Sequence, residues 1–346
     1  MKKIFAILGV GVCLFTQAYG LEGNKSFKTK MYLHKYAKGL KRDLKSKSKM
    51  QAILHHSYVT ADAMIPGSFD FSKSVSLPEN QGNCGSCWDF ALTKALRSEY
   101  MLAGRDPGVL DFNYLLNNCG PGPRMDGCNG GDFPAAASFE QGKGPGLNSQ
   151  DPYTQKEGSC KNLAVKATTV SYSMLGTSSS GPTFKDVAYA LSVLNHMLVI
   201  DVAAGQGEWE NYSDGIYNDC QGNSNDIDHM VNLVGYSCET SVDSQGNCLF
   251  DPEGKPVHKD GYLIVENNWG ESWGTQAANG HGGYMKTRMY DSSGNKCNAV
   301  ATDALMFQTN LPAPSPTPSP TPIPHPSCTG FLCGGVLGCW MPWCHS

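Results

Sequence analysis

An odd number of cysteines in an exported chain is the feature that most constrains this sequence. It contains 14 cysteines. Residues 1–20 combine a basic start, an apolar run from Ile4 to Phe15 and a small-x-small pattern that ends at Gly20, which is typical of a secretory signal peptide. Removal of this peptide takes Cys13 with it. An exported chain is expected to pair its cysteines in disulfides, so one thiol is left for an intermolecular bridge or for chemistry.

The charge is distributed unevenly and excludes nucleic acid as a partner. Residues 21–64 carry an excess of Lys and Arg, whereas the longer part from residue 65 onward is acidic. Proteins that bind nucleic acid usually show a clustered basic surface instead. The signal-like apolar run is also too short for a membrane span of about 20 residues. We therefore expect a secreted protein without a membrane span, located outside the cell, in a periplasm or in a lysosome-like compartment.

Composition divides the chain into five parts. Residues 1–20 form the signal peptide, and the Lys-rich residues 21–64 show helical spacing of Leu33, Tyr36, Ala37, Leu40 and Leu44, which predicts an amphipathic helix. This segment is either a solvated basic helix or a removable propeptide. Residues 65–310 mix helix and strand signals. Residues 311–327 form a proline-rich linker, because proline occupies every second position and is excluded from helix interiors and sheet ladders. Residues 328–346 form a Cys-rich tail, which is either a small binding module or a disulfide-capped end.

The densest chemical signal is the segment Gln81-Gly-Asn-Cys-Gly-Ser-Cys-Trp88, followed by apolar residues at helical spacing. Cys87 would lie at the N-terminus of that helix. The helix dipole and the free N–H groups favour a thiolate there, whereas the carboxylate of Asp89 opposes it. A thiolate that attacks a carbonyl needs hydrogen-bond donors for the resulting oxyanion, and the side-chain amide of Gln81 suits that task.

Cys-Gly-Ser-Cys-Trp resembles the signature of the papain and cathepsin cysteine peptidases. Two later segments extend the resemblance: Asp228-His-Met-Val-Asn-Leu-Val-Gly-Tyr236 and Glu266-Asn-Asn-Trp-Gly-Glu-Ser-Trp-Gly274. The resemblance implies that His229 is the general base and acid for Cys87. It also implies that Asn267 orients the imidazole and that Trp269 shields their hydrogen bond from water.

The resemblance implies an α+β, two-lobed papain-like fold, with a helical left lobe, a β-barrel-like right lobe and the active-site cleft between them. The implied function is that of a secreted cysteine endopeptidase, which hydrolyses peptide bonds through a thioester acyl-enzyme. No metal and no cofactor are implied. The partners would be protein or peptide substrates and the chain's own propeptide as an inhibitor, and the enzyme would be a monomer.

The resemblance also assigns the remaining site residues. Substrate binding falls to the glycines and to residues near the histidine and asparagine motifs: Gly130, Gly131, Phe133, Ile227, Asp228, Met230, Trp269 and Trp273. Among these residues, Phe133, Ile227 and Met230 would line an apolar pocket for the substrate residue second from the scissile bond, on its N-terminal side. Thr302 or Asp303 would lie at the base of this pocket. The implied disulfides are Cys84–Cys128, Cys119–Cys160, Cys220–Cys297 and Cys238–Cys248, and the tail residues Cys328, Cys333, Cys339 and Cys344 would pair among themselves. Cys87 is then the thiol left over.

Three other interpretations compete with the peptidase. Cys84 and Cys87 match the Cys-x-x-Cys pattern of thiol–disulfide oxidoreductases. An inactive family member would serve as a binding protein. A transpeptidase or ligase would use the same thioester with an amine in place of water.

Overall fold

The computed structural model describes residues 36–42, 55–56, 64–176, 181–206 and 208–311. All of them belong to one compact unit, His34–Ser346. The predicted signal peptide, most of the predicted propeptide, nearly all of the proline-rich linker and the whole Cys-rich tail lie outside the described residues.

Helices and strands alternate without a simple repeat. The helices are α1 (Cys87–Leu102), α2 (Asn113–Leu116) and α3 (Phe184–Ser192), and short 3-10 turns cover Ser72–Ser74, Gly127–Asn129, Phe133–Phe139 and Trp209–Asn211. The strands are β1 (His55–His56), β2 (Ser68–Asp70), β3 (Ser171–Leu175), β4 (Leu198–Val202), β5 (Ile216–Tyr217), β6 (His229–Ser237), β7 (Tyr262–Glu266), β8 (Tyr284–Arg288) and β9 (Ala304–Gln308). The predicted helix after Cys87 and the predicted mixture of helices and strands are thus present.

The central helix α1 is buried on most of its surface. Its apolar residues include Phe90, Leu92 and Leu96, and all three are inside the core. Because polar residues of this helix such as Asp89 and Ser98 are buried as well, other elements must cover it on several sides. Strand β6 covers one side of the helix. Asn232 of this strand donates from Nδ2 to the carbonyl oxygen of Ala91 at 2.9 Å. This hydrogen bond attaches the helix that carries Cys87 to the strand that carries His229.

Within the described residues, nine strands form one mixed sheet in the order β1-β3-β9-β4-β6-β7-β8-β5, with β2 also paired to β6. Strands β6 and β7 are antiparallel, and Asn232 faces Glu266 in their register. His229 begins β6 and Asn267 directly follows β7. Because antiparallel neighbours bring the start of one strand beside the end of the next, both residues lie at the same edge of the sheet.

The segment Tyr36–Arg42 corrects one prediction. Helical spacing predicted that Tyr36, Ala37 and Leu40 belong to an amphipathic helix, but the described segment is extended. Its main chain bonds to other parts of the protein instead: the Leu40 N–H donates to the Asp228 carbonyl oxygen at 3.1 Å. These long-range bonds replace the local i to i−4 bonds that a helix would have used. Leu33 and Leu44 lie outside the described residues.

Four disulfides join described cysteines: Cys84–Cys128, Cys119–Cys160, Cys220–Cys297 and Cys238–Cys248. Cys87 is the one cysteine in the described ranges that remains unbridged, and it is buried. The four tail cysteines lie outside the described residues. No helix in the described part of the chain has both the length and the apolar character needed to cross a membrane.

Candidate active site

Cys87 occupies the first position of α1. Its position is set by Ser86 before it and by the neighbouring loop, where the disulfide Cys84–Cys128 and the hydrogen bond from the Gly85 N–H to the Cys128 carbonyl oxygen (2.9 Å) hold the chain. The first N–H groups of a helix have no partner within the helix. The Cys87 N–H is therefore suited to stabilise an oxyanion that forms beside its own sulfur.

His229 and Asn267 form a hydrogen-bonded pair in the core. The Nε2 atom of His229 lies 2.8 Å from the Oδ1 atom of Asn267. The same Oδ1 accepts a second hydrogen bond, from the Asn268 N–H at 2.8 Å, which fixes the orientation of the amide. The other ring nitrogen of His229, Nδ1, is buried and has no hydrogen-bond partner among the described residues. An imidazole held this way keeps one nitrogen for a further proton transfer.

Trp269 covers this pair. Its ring stacks on the His229 imidazole with 4.7 Å between the ring centroids, and Trp273 packs edge-on against Trp269 at 5.2 Å. Both tryptophans are buried. Burial under aromatic rings keeps water from competing for the His229–Asn267 hydrogen bond, which strengthens it.

Gln81 is also buried beside Cys87. Its Nε2 donates to the Cys84 carbonyl oxygen at 2.8 Å, and its main-chain N–H donates to the Asn268 carbonyl oxygen at 2.9 Å. An amide nitrogen carries two hydrogens, so the side chain has a second N–H available. The hydroxyl of Tyr153 donates to the Gln81 carbonyl oxygen at 2.9 Å and steadies the loop.

Sequence reasoning missed Asn268 and Tyr153 as positioning residues. Asn268 donates from Nδ2 to the carbonyl oxygens of Cys87 (3.2 Å) and Met230 (3.0 Å), so it joins Cys87 to the strand that carries His229. Its position directly after Asn267 is a signal that could have singled it out. Nothing in the sequence around Tyr153 marks its contact with Gln81.

Burial determines the protonation of the Cys87 thiol and the His229 imidazole in this structure. It raises the pKa of the Cys87 thiol from 9.0 to about 12, although backbone hydrogen bonds from Met230 and Gly39 act in the opposite direction. It also lowers the pKa of His229 from 6.5 to about 3, against the effect of the Asn267 hydrogen bond. The sequence predicted a thiolate favoured by the helix N-terminus. In this covered site desolvation outweighs the dipole, so both groups are neutral at pH 7.

Asp89 lies on the same helix and is fully buried. Burial raises the pKa of its carboxyl group well above 3.8, although the Thr93 hydroxyl donates to Oδ1 at 3.0 Å. Its Oδ2 has no hydrogen-bond partner among the described residues. Burial therefore favours the neutral form of the Asp89 carboxyl group, which weakens the predicted opposition between its charge and a thiolate.

The glycine pair Gly130 and Gly131 faces the segment Tyr36–Arg42. The Gly131 N–H donates to the Gly39 carbonyl oxygen at 2.9 Å, and the Lys41 N–H donates to the Gly131 carbonyl oxygen at 3.0 Å. Gly130 adopts φ +132°, and a Cβ atom there would lie 2.6 Å from the Gly39 carbonyl oxygen. Only glycine allows another main chain to approach this closely.

The predicted apolar pocket residues adjoin the two main-chain contacts of Leu40, which bonds to the Asp228 carbonyl oxygen and forms a bridge with Gly131. Leu40, Phe133 and Met230 are buried in the hydrophobic core, and Ile227 packs against that core. Pro134 is buried next to Phe133, whose N–H donates to the Asp132 carboxylate at 2.8 Å. Asp228 contributes its carbonyl oxygen to Leu40, while its carboxylate accepts hydrogen bonds from the Ala204 N–H (2.9 Å) and the Gly205 N–H (3.3 Å).

Two acidic residues, Asp201 and Asp303, lie beside Arg42. Arg42 donates from a guanidinium nitrogen to Asp303 at 2.6 Å and also pairs with Asp201, whose side chain is fully buried. The Asp303 N–H donates to the Asp201 Oδ1 at 2.9 Å, which holds the two carboxylates together. Asp303 was one of two candidates from the sequence, while Asp201 lies inside β4 and was not singled out.

Comparison with known proteins connects this geometry to a family. The profile described as "Papain family cysteine protease" matches residues 65–306. The chain belongs to this family. The match spans Cys87, His229 and Asn267, and the predicted resemblance is confirmed.

Two curated proteins show how similar the sequence of this chain is to those of its relatives. Vignain from Vigna mungo is 27% identical over 264 residues, which cover 71% of this chain and 66% of vignain. Procathepsin L from Rattus norvegicus is 30% identical over 233 residues, which cover 64% of this chain and 60% of the relative. The chain therefore spans less than two thirds of the length of these relatives.

Solved structures support the papain-like fold. The bromelain protease from Ananas comosus in complex with the E64 inhibitor has a TM-score of 0.53 and 26% identity, covering 71% of this chain and all (100%) of that chain. The recombinant stem bromelain precursor has a TM-score of 0.56 at 24% identity, covering 75% of each chain, and bears on the fold alone. The predicted α+β papain-like fold is confirmed.

Proposed function

We propose that this chain is the precursor of a secreted cysteine endopeptidase that hydrolyses peptide bonds in protein or peptide substrates. One observation carries the proposal. The unbridged Cys87 lies at a helix N-terminus, and the ordered pair His229–Asn267 occupies the sheet edge that packs against that helix. Nucleophile, base and orienting group are the three parts that covalent acyl transfer needs.

The proposed reaction begins when Cys87 gives its proton to His229 Nδ1. The thiolate attacks the substrate carbonyl carbon, and the resulting oxyanion accepts hydrogen bonds from the Cys87 N–H and from Gln81 Nε2. His229 then protonates the leaving amine, so the C–N bond breaks and a thioester remains. A water molecule that loses a proton to His229 attacks the thioester, which releases the acid and restores the thiol. Asn267 keeps the imidazole in position throughout.

In this proposal residues 21–64 are a propeptide, and its segment Tyr36–Arg42 inhibits the enzyme. The support is that this segment covers Gly131, bonds to the Asp228 carbonyl oxygen and lies against the Cys87 thiol through Gly39. The neutral state of Cys87 and His229 under this cover is the expected state of a silent zymogen. Loss of the segment readmits water, which lowers the cost of the thiolate–imidazolium pair.

The remaining proposals rest on the sequence patterns alone. We propose a signal peptide over residues 1–20 and export to the cell exterior, a periplasm or a lysosome-like compartment. The peptidase domain would cover residues 65–310, a linker residues 311–327 and a Cys-rich tail residues 328–346. We expect a monomer with no nucleic acid partner.

The position of Leu40 supports a substrate preference. Its main chain bonds to Asp228 and forms a bridge with Gly131, and its side chain is buried in the hydrophobic core that also contains Phe133 and Met230. We propose that the substrate residue second from the scissile bond, on the N-terminal side, is Leu, Val or Phe. Burial of such a side chain contributes about 1.5–3 kcal/mol. The pair Asp201 and Asp303, which binds Arg42, would also accept a basic side chain at this end of the cleft.

The three alternative functions are separable by chemistry. Cys84 is bridged to Cys128, so an oxidoreductase would lack the Cys84–Cys87 dithiol. An inactive binding protein would present the same fold without a reactive thiol. A ligase would release the thioester to an added amine in preference to water.

The test is mass spectrometry of the secreted and processed protein before and after treatment with an epoxide thiol inhibitor. We expect one adduct, on Cys87, together with a chain that starts near Ile65 and cleaves peptides. The variant Cys87→Ala should bind no inhibitor and cleave nothing while keeping the same circular dichroism spectrum. A processed protein that takes no adduct and shows a Cys84–Cys87 bridge would overturn the proposal.

A further inference from the structure

Lys94 and Glu266 form a buried ion pair that the proposed reaction does not use. Lys94 lies on α1, about two turns after Cys87, and its ammonium group pairs with the Glu266 carboxylate. The two side chains are only 6% and 1% exposed. A pair this buried holds the elements that carry it firmly together, because separating the two groups leaves each charge desolvated in the core.

The carboxylate of this pair belongs to the residue directly before Asn267. Glu266 is the last residue of β7, and the Asn267 N–H donates to the Gly283 carbonyl oxygen at 3.0 Å. The position of Asn267 is therefore set by the end of this strand. Through Lys94 and Glu266, the helix that carries the candidate nucleophile is attached to the strand end that presents the orienting amide.

The ammonium group makes a second contact, with the segment that leads to Gln81. Lys94 Nζ donates to the Leu77 carbonyl oxygen at 2.5 Å. Four residues later, the Gln81 N–H donates to the Asn268 carbonyl oxygen at 2.9 Å, so this segment runs beside the chain that follows Asn267. Lys94 thus joins the helix, the end of β7 and the segment that carries the proposed oxyanion donor.

The other charges near Lys94 do not replace these contacts. Burial lowers the pKa of the Lys94 ammonium group from 10.5 to about 7, although the charges of Glu79 and Glu271 act in the opposite direction. Arg97, the next cation on α1, pairs with Asp106 instead, at 2.9 Å. Lys94 is therefore the cation of α1 that serves Glu266.

We propose that Lys94 and Glu266 are positioning residues of the peptidase, whose ion pair sets the places of Asn267 and Gln81 relative to Cys87. This inference rests on the proposed function. Both residues act through the main chain that presents the orienting amide and the oxyanion donor. A misplacement of about 1 Å in such groups lowers the rate by up to about 100-fold, even when the substituted residue is far from the reacting atoms. Loss of the pair should therefore lower kcat and leave KM nearly unchanged.

The test removes both charges together, so that no single charge is left in the core. One double variant is Lys94→Met with Glu266→Leu, because apolar residues of similar volume often replace a buried ion pair without loss of stability. A second, Lys94→Gln with Glu266→Gln, is polar and neutral. Epoxide labelling of Cys87 counts the intact sites of each processed enzyme, and kcat on one peptide is expressed per labelled site at pH 6. We expect kcat to fall about tenfold in both double variants at nearly constant KM. Lys94→Arg keeps the charge and the donors, so its kcat should stay close to that of the parent.

Glu99→Gln is the matched control. Glu99 lies on a later turn of α1, where its buried carboxylate pairs with His196 at 2.8 Å. The variant removes one charge from another buried pair of the same helix and should keep kcat. A double variant that takes the epoxide fully and keeps the kcat of the parent, or that raises KM at constant kcat, overturns this inference alone. A parent enzyme that neither cleaves peptides nor takes the epoxide on Cys87 overturns the proposed function, and the inference with it.

Discussion

Gly39 lies directly over Gly85, and a Cβ atom on Gly39 would overlap the Gly85 carbonyl oxygen. Gly85 is two residues before Cys87, so this contact places the main chain of the segment Tyr36–Arg42 close to the candidate nucleophile. The absence of a side chain on Gly39 is what allows the segment to approach the site.

The first prediction concerns release of the segment. Gly39→Ala introduces a clash that costs about 1–3 kcal/mol, so the segment should bind the cleft more weakly. We expect the unprocessed chain to react with the epoxide at Cys87 about tenfold faster than the parent protein, measured by the rate of adduct formation. Gly158→Ala is the control, because its Cβ would meet only Asn117 Nδ2 at an ordinary 3.7 Å. Equal labelling rates for the Gly39→Ala chain and the parent would contradict the inhibitory role of the segment.

The second prediction concerns the role of Asn267. In Asn267→Ala the His229 ring loses its 2.8 Å hydrogen bond, and a misplaced imidazole lowers kcat by about 100-fold. Because Asn267 orients His229 and does not contact substrate, KM should hardly change. The measurement is steady-state kinetics on one peptide substrate. Asn295→Ala, which removes an exposed amide bonded to Asp291, serves as the control and should keep kcat. A rise in KM at constant kcat would exclude the orienting role.

The third prediction is a pH dependence of the covered form. The pKa of His229 is about 3 in this structure and 6.5 when unperturbed. A group with a lowered folded-state pKa contributes stability that is present above pH 6.5 and is lost as pH falls toward 3. Burial is the main cause of the lowered pKa; the Asn267 hydrogen bond and Glu210 raise it, and Lys38 lowers it. Because the folded-state pKa of His229 lies below 6.5, acid should destabilise the covered site.

This is measured by urea unfolding of the full chain in a Cys87→Ala background, which prevents self-digestion. Between pH 7 and pH 4 the unfolding free energy should fall more steeply when His229 is present than in the double variant with His229→Gln. Parallel pH profiles for the two proteins would show that His229 does not titrate in this window.

The fourth prediction concerns the buried carboxyl group of Asp89. Its pKa is raised well above 3.8 by burial, so stability associated with this group is present below pH 3.8 and is lost as pH rises toward the folded-state value. Asp89→Asn removes this penalty and keeps the oxygen that Thr93 binds. At pH 7.5 the variant should have a higher Tm in calorimetry, and about 1 kcal/mol corresponds to ~2–4 °C in a domain of this size. At pH 4 the difference should nearly vanish, and an equal gain at both pH values would refute the titration argument.

Much of the candidate site was predictable because its parts lie in short contiguous motifs. The segment from Gln81 to Trp88 contains both the thiol and an amide, and the helix that follows is recognisable from its apolar residues. His229 and Asn267 each adjoin a strand with a clear apolar pattern. The odd cysteine count leaves one thiol over, the disulfides implied by the resemblance make that thiol Cys87, and the structure leaves Cys87 unbridged.

Residues that act through long-range contacts were not predictable. Asn268 and Tyr153 each hold a part of the site through one or two hydrogen bonds whose partners are distant in sequence. Asp201 looks like an ordinary strand residue until Arg42 and Asp303 are placed beside it. The spacing of Tyr36, Ala37 and Leu40 favoured a helix, because periodicity describes only what the segment would do by itself.

The sequence alone therefore determined the family, the fold class and the identity of the candidate nucleophile, base and orienting residue. Covalent chemistry requires particular side chains, and local patterns reveal which elements carry them. Only the tertiary structure decided the state of those residues. Desolvation depends on everything that surrounds a group, so the neutral Cys87 and His229 and the raised pKa of the Asp89 carboxyl group follow from burial by distant parts of the chain.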